Sequence, residues 1–282
     1  MDEKRKLTMD WQTPWFKPLK PWGAAALERW HGGQALCEAL NACRANAHHS
    51  THAGPVTLPR PSVTFVPQAA LPKDMAYETF IHQAGQVPTR EHVHDFFNAM
   101  SWCRWPQTKA LIGQAQAQAI AEQFNAGVQG HQSGVATVRG VLRDALTLID
   151  ESGVFLSCSD AMWQALCEYR WTDLFVTERA AWAQAHTLLV GHALLEKLVN
   201  PYKSITAQVL RVGSPGSDSA LVDDTQWDAA MAAALTQALQ LDGTEPLLKK
   251  PFQVLPLMGI PGWSKDQSSP GYFEDKRVFR GA

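Results

Sequence analysis

The chain reads as an α+β protein, a helix-dominated single domain with a small antiparallel sheet, and three observations predict this. Apolar residues recur at helical spacing, most clearly Val93, Phe96, Phe97 and Met100 at i, i+3, i+4 and i+7. Short alternating or wholly apolar stretches at 63–66, 145–158 and 205–212 have strand character and supply a sheet. No internal repeat interrupts the sequence, and the glycine-serine loop at 213–219 is too short for a convincing linker, which favours one domain.

Taken in order, residues 1–22 are expected to form an extended arm, since Trp11 to Trp22 combines three tryptophans with three prolines and cannot make a regular helix. The globular domain then spans 23–282. Residues 24–46 read as helix broken at Gly32-Gly33, and the His- and Pro-rich stretch from Asn46 to Pro61 reads as loop. A strand at Val63–Val66 precedes a helix from Tyr77 to Ala84 that Gly85 ends. Pro88-Thr89 opens the next helix, with Thr89 as N-cap, and Pro106 restarts the chain into another through Phe124. The apolar runs Ala145–Ile149 and Val154–Cys158 flank Asp150-Glu151-Ser152-Gly153, which has turn chemistry, so a β-hairpin buried on both faces is expected. Ser159 or Asp160 caps a helix to about Trp171, and a second follows from Thr172 to Gln184. Between His186 and Asn200 a short apolar stretch leads into a helix that Pro201 stops. A strand at Ile205–Val212 and an Ala-rich helix capped by Asp223 or Asp224 come next. The last 40 or so residues read as a tail pinned by Trp263, Phe273 and Phe279.

Composition narrows the function classes. At 282 residues and 45% hydrophobic, the chain needs neither disulfide nor metal to fold. Its 25 basic and 27 acidic residues nearly cancel, and the longest basic run is Lys4-Arg5-Lys6, which disfavours nucleic acid as a partner. Five scattered cysteines without a C-x-x-C pair read as reduced, inert thiols. With no signal-type segment and no run of 18 apolar residues, the expectation is a cytoplasmic protein without a membrane partner. Met9 is a second candidate for the start, beside Met1.

No nucleophile elbow, phosphate loop, dinucleotide fingerprint or H-E-x-x-H helix is present. Three clusters of ionisable residues remain. Arg90, His94, Asp95 and Asn98 share the polar side of the helix after Pro88, where Trp102 also projects, which favours a half-buried site over a solvated face. His192 and Glu196 stand one helical turn apart, placed to act as an acid/base unit, as half of a metal site, or as a satisfied core pair. Arg143 and Asp144 precede the expected hairpin, and a guanidinium near a buried strand calls for a carboxylate or an anionic ligand. Asp150 and Glu151 read as turn formers, the histidines at 48, 49 and 52 as loop residues, and Lys109, Lys197 and Lys203 as surface cations.

At these same places the chain resembles a bacterial family of unknown function, DUF3025. The resemblance runs from about Val63 to Arg280 through the blocks Pro88-Thr89-Arg90, His94-Asp95-Phe96-Phe97-Asn98-Ala99 with Trp102, Pro106 and Lys109, and Arg143-Asp144-Ala145-Leu146-Thr147. It continues in Asp150-Glu151-Ser152-Gly153, Gly191-His192-Ala193-Leu194-Leu195-Glu196-Lys197, Pro201-Tyr202-Lys203 and Gly259-Ile260-Pro261-Gly262-Trp263. It implies no activity, because the family has none assigned. It does separate His94, inside a block, from His92, outside one. Gly113 stands where the family pattern has asparagine, and the chain closes Arg280-Gly281-Ala282 instead of Arg-Pro, which puts any ligand contact of that asparagine in question.

Two functions compete. In the first, His94, Asp95, His192 and Glu196 are catalytic groups of a hydrolase or lyase, alone or around a divalent metal, while Arg90, Asn98, Arg143 and Asp144 bind a small polar or anionic substrate. In the second, the charged residues form a buried structural network and the terminal aromatics dock a protein partner, an idea that needs Trp11, Trp15, Trp22 and Trp263 exposed.

Overall fold

A computed structural model describes residues 7–47, 62–128, 135–216, 222–241 and 252–281. Helices and two small sheets alternate along these segments, which makes the α+β class plain. The chain divides into two compact units, Met1–Thr147 and Leu148–Ala282.

The first unit opens on turns and a short 3₁₀ segment, Lys17–Leu19, where an extended arm was expected. Pro18 and Pro21 sit where a 3₁₀ segment and then a helix begin, the places at which the missing N–H is harmless. Trp15, Phe16 and Leu19 are buried, and the Phe16 ring stacks on Phe97 at 5.8 Å. Helix α1 (Lys20–His31) and helix α2 (Leu36–Ala47) flank the Gly32-Gly33 break, Gly33 taking φ +98°. The Glu91 carboxylate ties the two helices together. It accepts the Trp30 indole N–H at 2.6 Å and the Leu36 amide, in the first turn of α2, at 2.8 Å.

Strand β1 (Thr64–Pro67), helix α3 (Tyr77–Ala84) and strand β2 (Gln86–Thr89) form a small parallel crossover, with Phe65 opposite Val87. Gly85 ends α3 in the left-handed region at φ +63°, as its position implied. Pro88-Thr89 is therefore strand, and the expected Thr89 cap is corrected. Helix α4 (Val93–Arg104) starts four residues later, with His92 as N-cap, its Nδ1 accepting the His94 amide at 3.1 Å. Helix α5 (Pro106–Val128) follows, and helix α6 (Val135–Ser152) contains the boundary between the units.

Helix α6 replaces the first arm of the expected hairpin. Ala145, Leu146 and Ile149 are buried at helical spacing while Asp144, Thr147 and Leu148 are exposed, so the apolar run is one face of a helix. Strand β3 (Gly153–Ser157) begins directly at the helix end and is buried at every residue, as its unbroken apolar character implied. It is central in a mixed sheet of order β4-β3-β5-β6, not an antiparallel hairpin. Strand β4 (His186–Leu189) pairs antiparallel with β3, strand β5 (Thr206–Arg211) runs parallel to it, and strand β6 (Gln253–Pro256) is antiparallel to β5.

Around this sheet lie helix α7 (Asp160–Cys167), capped by Ser159, a π-helical turn at Asp173–Thr177, helix α8 (His192–Lys197) and helix α9 (Asp224–Leu239). Asp223 caps α9 through a full capping box with Gln226. The final segment docks through aromatics. Phe175 stands against Trp171, Trp182, Phe273 and Phe279 at ring separations of 5.7–6.0 Å. Asp275 adds ion pairs to Lys203 and Arg277, both at 3.1 Å.

These hydrogen bonds from Arg277 and Lys203 hold the Asp275 carboxyl down at about 2, below its ordinary value near 4. A folded-state value below the unfolded one gives stability that is complete above pH ~4 and lost as pH falls toward 2, because the unfolded chain takes up the proton first. Acid titration followed by near-ultraviolet circular dichroism will show a loss of aromatic signal across that window, and Asp275→Asn will flatten it.

Among the described residues no helix is long and apolar enough to cross a membrane. The histidines at 48, 49 and 52 lie outside the described residues.

Candidate functional site

In the first unit the candidates gather on α4. Asp95, 8% exposed, binds Arg90 bidentately, with Nη2 at 2.7 Å from Oδ1 and Nε at 3.1 Å from Oδ2, and also takes the Arg90 backbone N–H at 2.6 Å. These bonds raise the Arg90 guanidinium above its ordinary value. With both carboxylate oxygens engaged by Arg90, Asp95 locks the turn between β2 and α4. His94 is half-buried at the first turn of α4, its ring 6.4 Å from that of His92.

Asn98, one helical turn beyond His94, is 8% exposed and donates through Nδ2 to the Tyr77 hydroxyl at 3.0 Å. Lys109 is no surface cation. It is 3% exposed, with its ammonium 5.6 Å from the Trp102 ring. Arg143 lies on a helix instead of beside a strand, and its guanidinium donates to Gln123 Oε1 at 3.0 Å. Asp144 is exposed on the same helix.

The second unit holds His192 and Glu196, both on α8. His192 is 5% exposed, and a carboxylate stands beside each of its ring nitrogens. Asp150 Oδ2 lies 3.6 Å from Nδ1, and Glu151 Oε1 lies 3.6 Å from Nε2. The two acidic residues read as turn formers are thus the last turn of α6, aimed at the histidine. Glu196 is half-buried one turn beyond His192.

This convergence has a local cause. Gly153 O accepts N–H bonds from both Val190, at 3.0 Å, and Gly191, at 2.9 Å, which pins the start of α8 against the end of α6. Gly191 fits only because it lacks a side chain. A Cβ there would lie 2.5 Å from Gly153 N, 2.6 Å from Ser152 Cα and 2.7 Å from Glu151 O. The close approach delivers His192 to Asp150 and Glu151.

Burial pushes the Cys158 thiol up to about 11 and raises Cys37, Cys43 and Cys167 as well, so none of these four is poised as a thiolate near neutrality.

The site blocks fall within a region that comparison with known families recognises. The family described as protein of unknown function, DUF3025, matches residues 63–282, well over half of the chain. The chain belongs to DUF3025. No curated protein and no solved structure matches it. The DUF3025 region contains both the α4 cluster and the His192 cluster, while Trp15, Phe16 and α1 precede it.

Proposed function

We propose that this DUF3025 protein is a metal-dependent hydrolase or lyase acting on a small polar or anionic substrate, with its cation held at His192. The observation that carries the reading is the 3.6 Å separation between Nε2 of the buried His192 imidazole and Glu151 Oε1. Such a gap is too long for a hydrogen bond. It suits two donors sharing one cation, because bonds of about 2.0–2.1 Å in a tetrahedral shell put neighbouring ligand atoms roughly 3.4 Å apart.

In this arrangement His192 Nε2 and Glu151 Oε1 are the ligands, and the Asp150 carboxylate beside Nδ1 favours, by its charge, the tautomer that carries its proton there and leaves Nε2 for the cation. The remaining positions are left for water, substrate or further side chains. A bound cation supplies a Lewis acid and an activated water, and Glu196 is placed on the same helix to serve as a general base.

Elemental analysis of protein purified without a His-tag is expected to find a stoichiometric divalent metal. His192→Ala and Glu151→Gln will each abolish it, and Asp150→Asn will weaken it roughly 10–100-fold while leaving a weaker site of the same stoichiometry. Absence of metal in the parent, even after incubation with zinc or manganese, overturns the reading. The alternative, a protein that docks a partner through its terminal tryptophans, loses ground because Trp15 is buried and Trp11, Trp22 and Trp263 are half-buried.

A further inference from the structure

A cavity of about 670 Å³ opens beside the β5–β6 edge, within the ordinary size range of small-molecule sites. Its walls include Tyr169, Trp171, Ser204, Thr206, Arg277 and Arg280, and no aspartate or glutamate lines it. Arg277 is neutralised by Asp275, which also holds Lys203. Arg280 has no carboxylate partner among the described residues, while its carbonyl is anchored by the Trp171 indole N–H at 2.5 Å. Of the two arginines on the wall, Arg277 is paired and Arg280 is left to meet an anion.

A second observation points to the same place. Tyr169 has φ +54°, one of two described non-glycine residues in the left-handed region. It occupies the position after the α7 C-cap, where the bonds Tyr169 N–H to Leu166 O and Arg170 N–H to Ala165 O close the helix, a place usually held by glycine. Tyrosine tolerates this backbone at a cost that glycine would avoid. What the cost secures is a phenol ring on the cavity wall, packed edge-on to Trp171 at 5.6 Å.

We propose that the cavity binds a small organic oxyanion carrying a flat ring, its ring against Tyr169 and its anionic group on Arg280. Recognition combines the guanidinium fork, which matches carboxylate, phosphonate and phosphate oxygens, with the Ser204 and Thr206 hydroxyls as further donors.

The test uses the full chain in calorimetric titrations with phenylphosphonate, inorganic phosphate and phenol. Phenylphosphonate is expected to bind saturably and at least tenfold more tightly than either fragment. Arg280→Ala will weaken it at least tenfold and bring it to the level of phenol. Tyr169→Gly will weaken it to the level of inorganic phosphate, yet melt no lower than the parent, which separates a binding role from a structural one. The proposal is overturned by absence of saturable binding, by equal affinity for phosphate and phenylphosphonate, or by undiminished binding in both variants.

Discussion

Gly191→Ala is expected to destabilise the second unit by about 3 kcal/mol, at the upper end of ordinary overpacking penalties, and to lower its melting temperature by roughly 10 °C. The added methyl meets three backbone atoms at 2.5–2.7 Å, and none of these can swing aside as a flexible side chain would. Relief requires the start of α8 to retreat from the end of α6, stretching the two bonds onto Gly153 O. His192 then withdraws from Asp150 and Glu151, so metal affinity should fall together with stability. Gly213→Ala is the matched control, because a Cβ there meets nothing within 4 Å. Thermal melts and metal titration of both variants check the point. A stable Gly191→Ala protein with parental metal affinity defeats it.

Phe175→Ala should cost about 3–5 kcal/mol, the range for deleting a buried aromatic ring. Phe175 is fully buried, and its ring is shared by Trp171, Trp182, Phe273 and Phe279. Gly259 lies beneath it so closely that a Cβ would come within 2.5 Å of Cε2 and Cζ. Removing the ring therefore frees the segment carrying Phe273 and Phe279, and limited proteolysis should cut in 260–281 before the rest of the unit yields. The same packing makes a coupling test. Gly259→Ala and Phe175→Leu will each destabilise alone, and together they will cost less than their sum, because the smaller side chain makes room for the methyl.

What the sequence revealed, and what it hid, divides along physical lines. Helices with their own punctuation were legible: α3 stops at Gly85 and α9 starts at Asp223, because caps and left-handed turns are local chemistry. The start of α4 was misread because β2 is held by pairing with β1, some 22 positions earlier, and Pro88-Thr89 carries no sign of a distant partner. Helix α6 was taken for a hairpin arm because a five-residue apolar run fits a buried strand and a helix face equally well.

That single misreading hid half of the His192 cluster. Asp150 and Glu151 at a loop tip suggest turn formers, whereas at a helix end under Gly191 they become partners of an imidazole. His192, Asp95 and Asn98 stood out as polar residues on apolar helices, and all three are buried. The Glu91 bridge to Trp30 and Leu36 was not, since an isolated glutamate before a helix looks like any exposed charge.

The sheet order β4-β3-β5-β6 also bears on how the chain is made. Until Gln253–Pro256 leaves the ribosome, β5 presents an open flank carrying the buried residues Ala207, Val209 and Leu210. The intervening stretch contains α9 and takes about 2–9 s to synthesise at 5–20 residues per second. During that interval β5 is a template for any other extended chain, so a nascent protein arrested after α9 will require a chaperone to stay soluble.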